Sequence, residues 1–375
     1  MKIHFAGDAY FGETAPDRFL DDDLRRLFAE SALVSVNFEA PVAEADDPPL
    51  PKAGSHWRHS ADALDLLRRE GVGALSLANN HIYDYADAGL ARTLEAARDF
   101  ATVGAGMTRE EAYRPRIVEL EGTRVGLVSY CEGEFGVLKE RGRGRGGFAW
   151  ICAPEVESIV SRLAEETDVV VAQAHCGVEE TDVPLPEWRE RFRALIDAGA
   201  DAVVGHHPHT PRGVEVYRGK PIFYSLGNLF FNAPALKRLH RGLVAELEIV
   251  DRRLAGFRAV PVEFGDLVSI WKEGEKETAR LSAALEGEGY RRDVDRLVLE
   301  LWRDRYETYY AAASAGAGER RSMLRALKAI TTTLLGGERA TRKRRLLLLH
   351  NLRIESHRWA TERALSLLEE SDRER

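Results

Sequence analysis

The stretch Asp201-Ala-Val-Val-Gly-His206-His207-Pro208-His209 joins a short apolar run to a cluster of histidines. The Ala-Val-Val run favours a buried strand, because strands in a core are short apolar segments bounded by turn-forming residues. Imidazoles that directly follow such a strand lie at the carboxyl edge of a sheet, where open α/β folds place their ligand sites. The stretch therefore predicts a metal or proton-transfer site at the edge of a sheet.

The same pattern recurs along the first half of the chain. Four other apolar runs end in polar side chains: 3–7 before Asp8, 33–36 before Asn37 and Glu39, 74–77 before Asn79, Asn80 and His81, and 169–174 before His175. Carboxylates, amide oxygens and imidazoles are the side chains that hold divalent metals in proteins. Since five strand ends deliver such groups, the sequence predicts a metalloenzyme.

Charge and cysteine content narrow the range of partners. The net charge of −8 argues against nucleic acid as an obligatory partner, because phosphate binding needs a basic surface. Three scattered cysteines do not make a disulfide framework, which favours a reducing compartment. No apolar stretch reaches the ~18 residues of a membrane helix, and a strand that begins at Lys2 leaves no room for a signal peptide. We expect a cytoplasmic protein without a membrane partner.

Strand and helix signals alternate from residue 1 to about 263, which predicts a largely parallel α/β arrangement. The predicted helices are Asp17–Glu30, Ser60–Glu70, Asp87–Asp99, Pro154–Glu166 and Pro186–Ala198. Three pairs of extended segments predict hairpins: Arg116–Leu120 with Arg124–Tyr130, Val214–Tyr217 with Pro221–Tyr224, and Leu243–Val250 with Phe257–Val262. We therefore expect a sheet-on-sheet core with helices outside.

The composition changes after Pro261, the last proline of the chain. The residues that follow are mostly helix formers, so we expect a catalytic domain over 1–263 and a helical extension over 266–375. Aromatic residues recur in this extension at helical spacing, at Trp302, Tyr306, Tyr309 and Tyr310. Such a stripe indicates either packing against the catalytic domain or a substrate-binding or homodimer face.

Taken together, these residues resemble the CapA family, the poly-γ-glutamate capsule proteins with a calcineurin-like metallophosphoesterase fold. The resemblance covers roughly residues 2–262 and rests on six pieces in the family's order: Gly7-Asp8, Asn37-Phe-Glu39-Ala-Pro41, Ser76 to His81 followed by Asp84, His175-Cys-Gly177 preceding Glu179, Gly205 to His209, and Tyr224 to Asn228. It implies an α/β fold, a β-sheet sandwich flanked by helices, with the C-terminal helical extension outside the matched region.

The resemblance also implies one or two divalent metal ions. Asp8 would ligate one ion and Asn80 the other, Glu39 would bridge them, and the imidazoles would come from His175, His207 and His209. Mn, Fe or Zn suits such a set, and Ca or Mg is the alternative for an oxygen-rich site. The wider superfamily carries a histidine two residues after the first Asp, where this chain has Tyr10. That departure favours a mononuclear site or a weakly held second ion.

Other residues of the matched region are candidates for proton transfer and substrate binding. The resemblance implies that His81 protonates a leaving group or orients substrate, with Asp84 as the partner of its other ring nitrogen. His59 and His175 are candidates for a further proton carrier. The candidates for substrate contacts are His56, Trp57 and Arg58 on one loop, Arg143 on a Gly-rich loop, and Asn228. Packing is the alternative for the first loop, a solvated loop for Arg143 and a turn for Asn228.

Three functions are compatible with these residues. The first is a metal-dependent hydrolase that cleaves an amide or ester bond of an anionic, peptide-like or polyglutamate-like substrate. The second is a metal-dependent peptide epimerase, as the resemblance implies for relatives in lasso-peptide biosynthesis. It would use His81 with Asp84 and one of His56, His59, His175 or His209 on the opposite face of a Cα centre. The third is a non-enzymatic assembly factor for polyglutamate.

Overall fold

The computed structural model describes residues 1–139, 145–233, 239–314 and 342–373. In chain order, the strands within these ranges are β1 (Lys2–Tyr10), β2 (Leu33–Phe38), β3 (Ala74–Ser76), β4 (Ala101–Val103), β5 (Ala105–Gly106), β6 (Arg116–Leu120), β7 (Thr123–Cys131), β8 (Gly147–Phe148), β9 (Val169–His175), β10 (Ala202–His206), β11 (Val214–Tyr217), β12 (Lys220–Phe223), β13 (Asn228–Phe231), β14 (Arg241–Val250), β15 (Arg253–Phe264) and β16 (Val268–Ile270).

The helices of the same ranges are α1 (Asp22–Ala29), α2 (Asp62–Arg69), α3 (Ala86–Ala96), α4 (Arg109–Ala112), α5 (Val156–Glu166), α6 (Pro186–Asp197), α7 (Gly274–Ala283), α8 (Gly287–Leu301), α9 (Glu307–Ser314), α10 (342–353) and α11 (Glu355–Arg373). A π-helical turn, Trp302–Tyr306, joins α8 to α9. None of the helices in the described ranges combines the length and the apolar composition that a membrane crossing requires.

Two large sheets form the framework. The first has the order β16-β15-β14-β1-β2-β3-β4, with β13 also paired to β1, and the second has the order β11-β12-β10-β9-β7-β6. The strands β1 to β4 are mutually parallel, and so are β7, β9, β10 and β12. The three predicted hairpins are confirmed as the antiparallel pairs β6–β7, β11–β12 and β14–β15.

The core consists of two layers of apolar side chains. One cluster draws on both sheets and includes Phe5, Leu127, Val171, Val204 and Leu247, all of them buried. A second cluster joins the first sheet to α1, α2 and α3. The predicted α/β architecture, a β-sheet sandwich flanked by helices with helices at the C-terminal end, is confirmed.

Helix α1 is shorter than its predicted range of Asp17–Glu30. The side chain of Asp21 accepts a hydrogen bond from the Leu24 N–H at 2.8 Å and caps the helix. The residues before the cap are not helical, and Leu20 forms an isolated bridge with Val268 of β16. A tertiary pairing and a local N-cap therefore overrule the helical propensity of this segment.

The chain forms two compact units, of which one comprises Met1–Leu50 with His56–Tyr290 and the other Pro51–Ser55 with Arg291–Arg375. In the second unit, the ring of the buried Tyr306 lies 4.9 Å from the ring of His357 in α11. This member of the aromatic stripe thus packs within its own unit. The domain boundary at 263–266, the homodimer and the cytoplasmic location stay predictions.

Candidate metal centre

The carboxyl ends of parallel strands from both sheets meet at one place. The first sheet contributes Asp8 from β1 and Asn37 from β2, and the second contributes His175 from β9 and His206 from β10. The Oδ1 atom of Asp8 lies 2.8 Å from Nδ2 of Asn37 and 3.3 Å from Nδ1 of His206. The Nδ1 atom of His175 lies 3.2 Å from the same Asn37 nitrogen.

Two glycines allow the chain to approach so closely at these strand ends. A Cβ atom on Gly7, directly before Asp8, would lie 2.1 Å from the carbonyl oxygen of Gly227. A Cβ atom on Gly205, directly before His206, would lie 2.4 Å from the carbonyl oxygen of Tyr224. Only glycine fits at both positions, because real Cβ atoms do not come that close to backbone oxygens.

Glu39 belongs to two adjacent groups of possible ligands. One group is Glu39, His175 and His207, the other is Asp8, Glu39 and His209, and within each group one ligand atom per residue lies within 4.8 Å of the others. All five side chains are buried. Buried carboxylates need a compensating positive charge, and carboxylates with imidazoles are ligands of divalent cations. The donor set therefore fits a divalent metal, and the shared carboxylate fits an arrangement of two neighbouring ions.

His175 lies among other imidazoles. Its Nε2 atom lies 2.9 Å from Oδ1 of Asn80 and 3.1 Å from Nδ1 of His207. Burial, and then the charges of His207, His206, His209 and His81, hold the pKa of His175 well below its ordinary value. The ring is therefore neutral at neutral pH, which is the state in which histidine ligates a metal. Asn80 is thus placed beside the Glu39–His175–His207 group, and its role as a ligand stays a prediction.

Asn228 fixes the orientation of His209. Its Nδ2 atom donates to the carbonyl oxygen of Leu239 at 2.8 Å, so its Oδ1 atom is the one that lies 2.9 Å from Nδ1 of His209. Nδ1 of His209 must then carry the proton, which leaves Nε2 as the nitrogen with a lone pair, 3.8 Å from Oε1 of Glu39. Both ends of the Asn228 amide are used inside the protein, so we assign it to positioning His209 instead of contacting substrate.

Two residues to which the sequence pattern gives no role also reach this centre. The Nδ2 atom of Asn37 contacts Oδ1 of Asp8 and lies 3.3 Å from Oε2 of Glu39. The buried Glu132 accepts the Gly177 N–H at 2.9 Å, and its Oε1 atom lies 3.9 Å from Nε2 of His207. Glu132 directly follows β7, so the pattern of strands that end in polar residues would have identified it.

The backbone around the centre adopts conformations that side chains disfavour. His207 has φ = 95°, His209 has φ = 58° and Ala40, next to Glu39, has φ = 133°. The backbone N–H of His207 donates to Oδ2 of Asp8 at 3.2 Å. Strained conformations of this kind persist where the surrounding contacts hold them, and they cluster at functional sites.

His81 and Asp84 form a buried pair next to the candidate ligands. Nδ1 of His81 lies 2.7 Å from Oδ2 of Asp84, and the same oxygen accepts the backbone N–H of Trp57 at 2.8 Å. The indole of Trp57 stacks on the His81 imidazole with 3.9 Å between ring centroids and 19° between planes. The carboxylate and the indole together fix the ring of His81, whose role in proton transfer stays a prediction.

Tyr10 occupies the position at which the superfamily pattern has a histidine. Its ring stacks on Trp57 at 5.2 Å and lies 5.3 Å from the ring of Phe231. Phe231 in turn contacts His209 edge-to-face at 4.7 Å. Burial raises the pKa of the Tyr10 hydroxyl. Tyr10 therefore contributes to an aromatic wall, and the Asp8 group gains no imidazole from this position.

The structure does not bring all predicted residues to this centre. His59 is fully buried, stacks on Phe38 at 3.9 Å between ring centroids, and lies with Nδ1 3.4 Å from the Phe11 nitrogen. Burial lowers its pKa to about 3, so its ring stays neutral and enclosed by apolar neighbours. The prediction of His59 as a proton carrier is corrected on this ground, because a proton carrier must reach the substrate.

Of the predicted substrate residues on the first loop, one lies beside the candidate ligands and two are engaged in other contacts. Nε2 of His56 lies 2.6 Å from the carbonyl oxygen of Leu50, and Arg58 forms an ion pair with Glu13 at 2.6 Å. Both side chains are thus engaged by the protein, whereas Trp57 lies between His81 and His209, 6.4 Å from the latter's ring. The predicted residue Arg143 lies outside the described residues.

Comparisons with known proteins agree with these motifs. The family model described as bacterial capsule synthesis protein PGA_cap matches residues 2–233. The PGA biosynthesis protein CapA of Bacillus subtilis is 32% identical over 212 residues, which cover 55% of this chain and 55% of that protein. The capsule biosynthesis protein CapA of Bacillus anthracis is 31% identical over 209 residues, which cover 54% and 51%. The chain thus spans about half the length of these curated relatives.

One solved structure to which the chain aligns is the NAD nucleotidase NadN of Haemophilus influenzae. It aligns with 75% of this chain and 55% of that chain, at a TM-score of 0.42 and 12% sequence identity.

Proposed function

This chain belongs to the bacterial capsule synthesis protein PGA_cap family, and from that premise we propose that it is a metal-dependent hydrolase. The substrate that we propose is an anionic, peptide-like molecule of the polyglutamate type, cleaved at an amide or ester bond. The observation that carries the proposal is the sharing of Glu39 by two groups of buried ligands, beside the pair of His81 and Asp84. The relatives named for PGA and capsule biosynthesis support an anionic polymer as substrate.

Five side chains would hold the metal, namely Asp8, Glu39, His175, His207 and His209. Bound there, a divalent cation would act as a Lewis acid towards the scissile carbonyl group. Asn228 and Asn37 hold the ligands in place through their amides, and Tyr10, Trp57 and Phe231 form an apolar wall that limits water beside them. Carboxylates and imidazoles together favour Mn, Fe or Zn.

The proton for the leaving group would come from His81. Asp84 accepts the hydrogen bond of Nδ1, so Nε2 is the nitrogen that delivers a proton to the leaving amine or alkoxide. Trp57 restricts rotation of the imidazole from its stacked face, and the Trp57 N–H holds Oδ2 of Asp84 in place. An orienting carboxylate behind a histidine is a recurrent arrangement for general acid catalysis.

Epimerisation at a Cα centre is the alternative reaction, and the structure leaves it fewer proton carriers. It needs a second carrier on the face opposite His81, for which the sequence offers His56, His59, His175 or His209. His59 is enclosed by apolar rings, and His175 and His209 belong to the two ligand groups. Only His56 is left outside both, and its Nε2 atom is engaged by the Leu50 carbonyl. Hydrolysis needs a single proton carrier for the leaving group, a role that His81 alone would fill.

The test is turnover of glutamate oligopeptides in D₂O by protein reconstituted with Mn²⁺, Fe²⁺ or Zn²⁺. We expect cleaved products by mass spectrometry, their loss after chelation and their return when the ion is restored. The variant His81→Gln should keep the metal content and lose most of the turnover, by about 10²- to 10⁴-fold.

Turnover that survives removal of the metal would contradict the proposal. Deuterium at a Cα atom of an intact peptide would identify the epimerase instead. A protein that binds metal and oligopeptide but changes neither bond nor isotope content would support the assembly factor.

A further inference from the structure

We propose that a small cavity beside His209 binds the carboxylate of a substrate residue through Arg241. The cavity measures about 180 Å³, and its lining includes His209, Leu239, Arg241, Trp271, Asp182 and Glu277. Drug-sized pockets begin at about 300 Å³, so this one suits a single amino-acid side chain. The inference rests on the proposed function in one respect, namely that His209 belongs to the reaction centre.

The cavity is joined to the candidate metal centre through Asn228. The amide of this residue contacts His209 on one side and the Leu239 carbonyl on the other, and both of these residues line the cavity. The other nitrogen of His209 lies 3.8 Å from Glu39. A group held in the cavity is therefore one imidazole ring away from the shared carboxylate of the ligand groups, which is the separation expected for a neighbouring residue of a bound peptide.

An aromatic ring orients the exposed side chain of Arg241. Its guanidinium carbon lies 4.1 Å above the ring of Trp271. The backbone N–H of Trp271 donates to the Pro261 carbonyl at 2.9 Å, and the indole ring packs against Gly274, where a Cβ atom would lie only 2.5 Å from the ring. A guanidinium that stacks on an aromatic face directs its N–H donors outward in one plane, where they match the two oxygens of a carboxylate.

A second arginine nearby already forms ion pairs with acidic side chains. Arg280 pairs with Glu277 at 2.7 Å and with Asp182 at 3.3 Å, and these are the two carboxylates of the cavity lining. Within the described ranges Arg241 makes no such ion pair: its guanidinium stacks on Trp271. The pKa of Glu277 is lowered first by its hydrogen bond with Arg280, and the charge of Arg241 is a smaller cause. Arg241 is thus the guanidinium of the cavity whose N–H donors remain for a ligand.

The charges of the lining favour a carboxylate over a phosphate. Two carboxylates, Asp182 and Glu277, belong to the lining, and they would repel a dianion more strongly than a monoanion. Trp271 and Leu239 supply the apolar surface for the methylene groups that carry the carboxylate. The combination fits a glutamate-like side chain or chain end.

The test is calorimetric titration of the metal-reconstituted full chain with γ-linked triglutamate and with uncharged triglutamine. In the variant Arg241→Gln we expect affinity for triglutamate to fall about tenfold or more, because hydrogen bonds between charged groups are lost, while affinity for triglutamine is unchanged. The matched control is Arg253→Gln, an exposed arginine at the opposite end of the β14–β15 hairpin, which should bind triglutamate like the wild type. Arg241→Lys keeps the charge but not the planar fork, so it should recover only part of the affinity.

Wild-type protein that does not prefer triglutamate, or an Arg241→Gln variant that binds it like the wild type, would overturn the proposal. Equal losses for both peptides would do so as well. Because the titration needs no turnover, the two proposals can fail separately. If Arg241→Gln loses binding but the wild type hydrolyses nothing, the cavity proposal stands and the hydrolase proposal fails. If the wild type shows metal-dependent hydrolysis but Arg241→Gln binds triglutamate unchanged, the hydrolase proposal stands and the cavity proposal fails.

Discussion

Replacing Glu39 by glutamine should change the stability of the protein in opposite directions in its metal-free and metal-loaded states. Glu39 and Asp8 are completely buried, and one carboxylate oxygen of each lies within 4.8 Å of the other. Like charges at that separation repel by about 3.5 kcal/mol at an effective dielectric constant of about 20. Glutamine keeps the shape and removes the repulsion. A neutral amide forms weaker hydrogen bonds than a carboxylate, which offsets part of this gain. Metal-free Glu39→Gln should therefore be roughly 1–3 kcal/mol more stable than the wild type.

A bound divalent cation reverses this order. At an ion concentration of about 1,000 times Kd, binding stabilises the native wild type by about 4.1 kcal/mol, which exceeds the whole advantage of the metal-free variant. Glu39→Gln offers a neutral amide to both ligand groups, so it should gain only a small part of that stabilisation. The wild type should therefore be the more stable protein once the metal is present.

The assay is urea denaturation of both proteins after chelation and after reconstitution with Mn²⁺. The control is Glu246→Gln, a buried carboxylate that Arg258, Lys2 and His4 contact outside the ligand groups. That variant should lose about 1–2 kcal/mol in both metal states, because it leaves cationic partners without their acceptor. If Glu39→Gln were less stable than the wild type to the same extent with and without metal, the reasoning from buried charge would be refuted.

Three further predictions concern orientation and pH. Asp84→Asn should lower turnover about 10²-fold or more by mis-orienting His81, with metal content unchanged by elemental analysis; an unchanged rate would contradict the role of the pair. Asn228→Leu should weaken metal binding about 10- to 100-fold in chelator competition, because His209 loses its orienting acceptor, and wild-type affinity would disprove this. Burial would raise the pKa of Glu246, but its cationic partners outweigh that effect and lower it to about 2. Its contribution to the free energy of unfolding, measured against Glu246→Gln, should thus be complete above pH ~4.5 and vanish as pH falls towards 2; a difference independent of pH would count against it.

The cluster of candidate ligands follows from sequence because two simple regularities act together. Apolar runs of strand length predict buried strands, and parallel strands bring their carboxyl ends to one edge. Asp8, Glu39, His175, His207 and His209 do lie together in the structure, although their role as metal ligands stays a prediction. The same regularity extends to Glu132, which directly follows β7 as Glu39 directly follows β2.

The different environments of the histidines are set by tertiary contacts, and the local sequence carries no signal for them. His59 and His81 both lie near apolar segments, yet one is stacked on Phe38 in the core and the other is paired with Asp84 beside the ligands. The use of both ends of the Asn228 amide likewise depends on Leu239 and His209 arriving from different segments. Contacts between segments distant in sequence decide these roles, and periodicity does not encode them.

The most direct test of the central claim is the number of divalent ions bound per chain in the wild type and in Glu39→Ala, His207→Ala and His209→Ala, by elemental analysis after reconstitution. Because both groups share Glu39, we predict that Glu39→Ala loses all bound metal, whereas His207→Ala and His209→Ala each lose the ion of one group. A wild type that binds no ion, or a Glu39→Ala variant with the wild-type complement, would contradict the account.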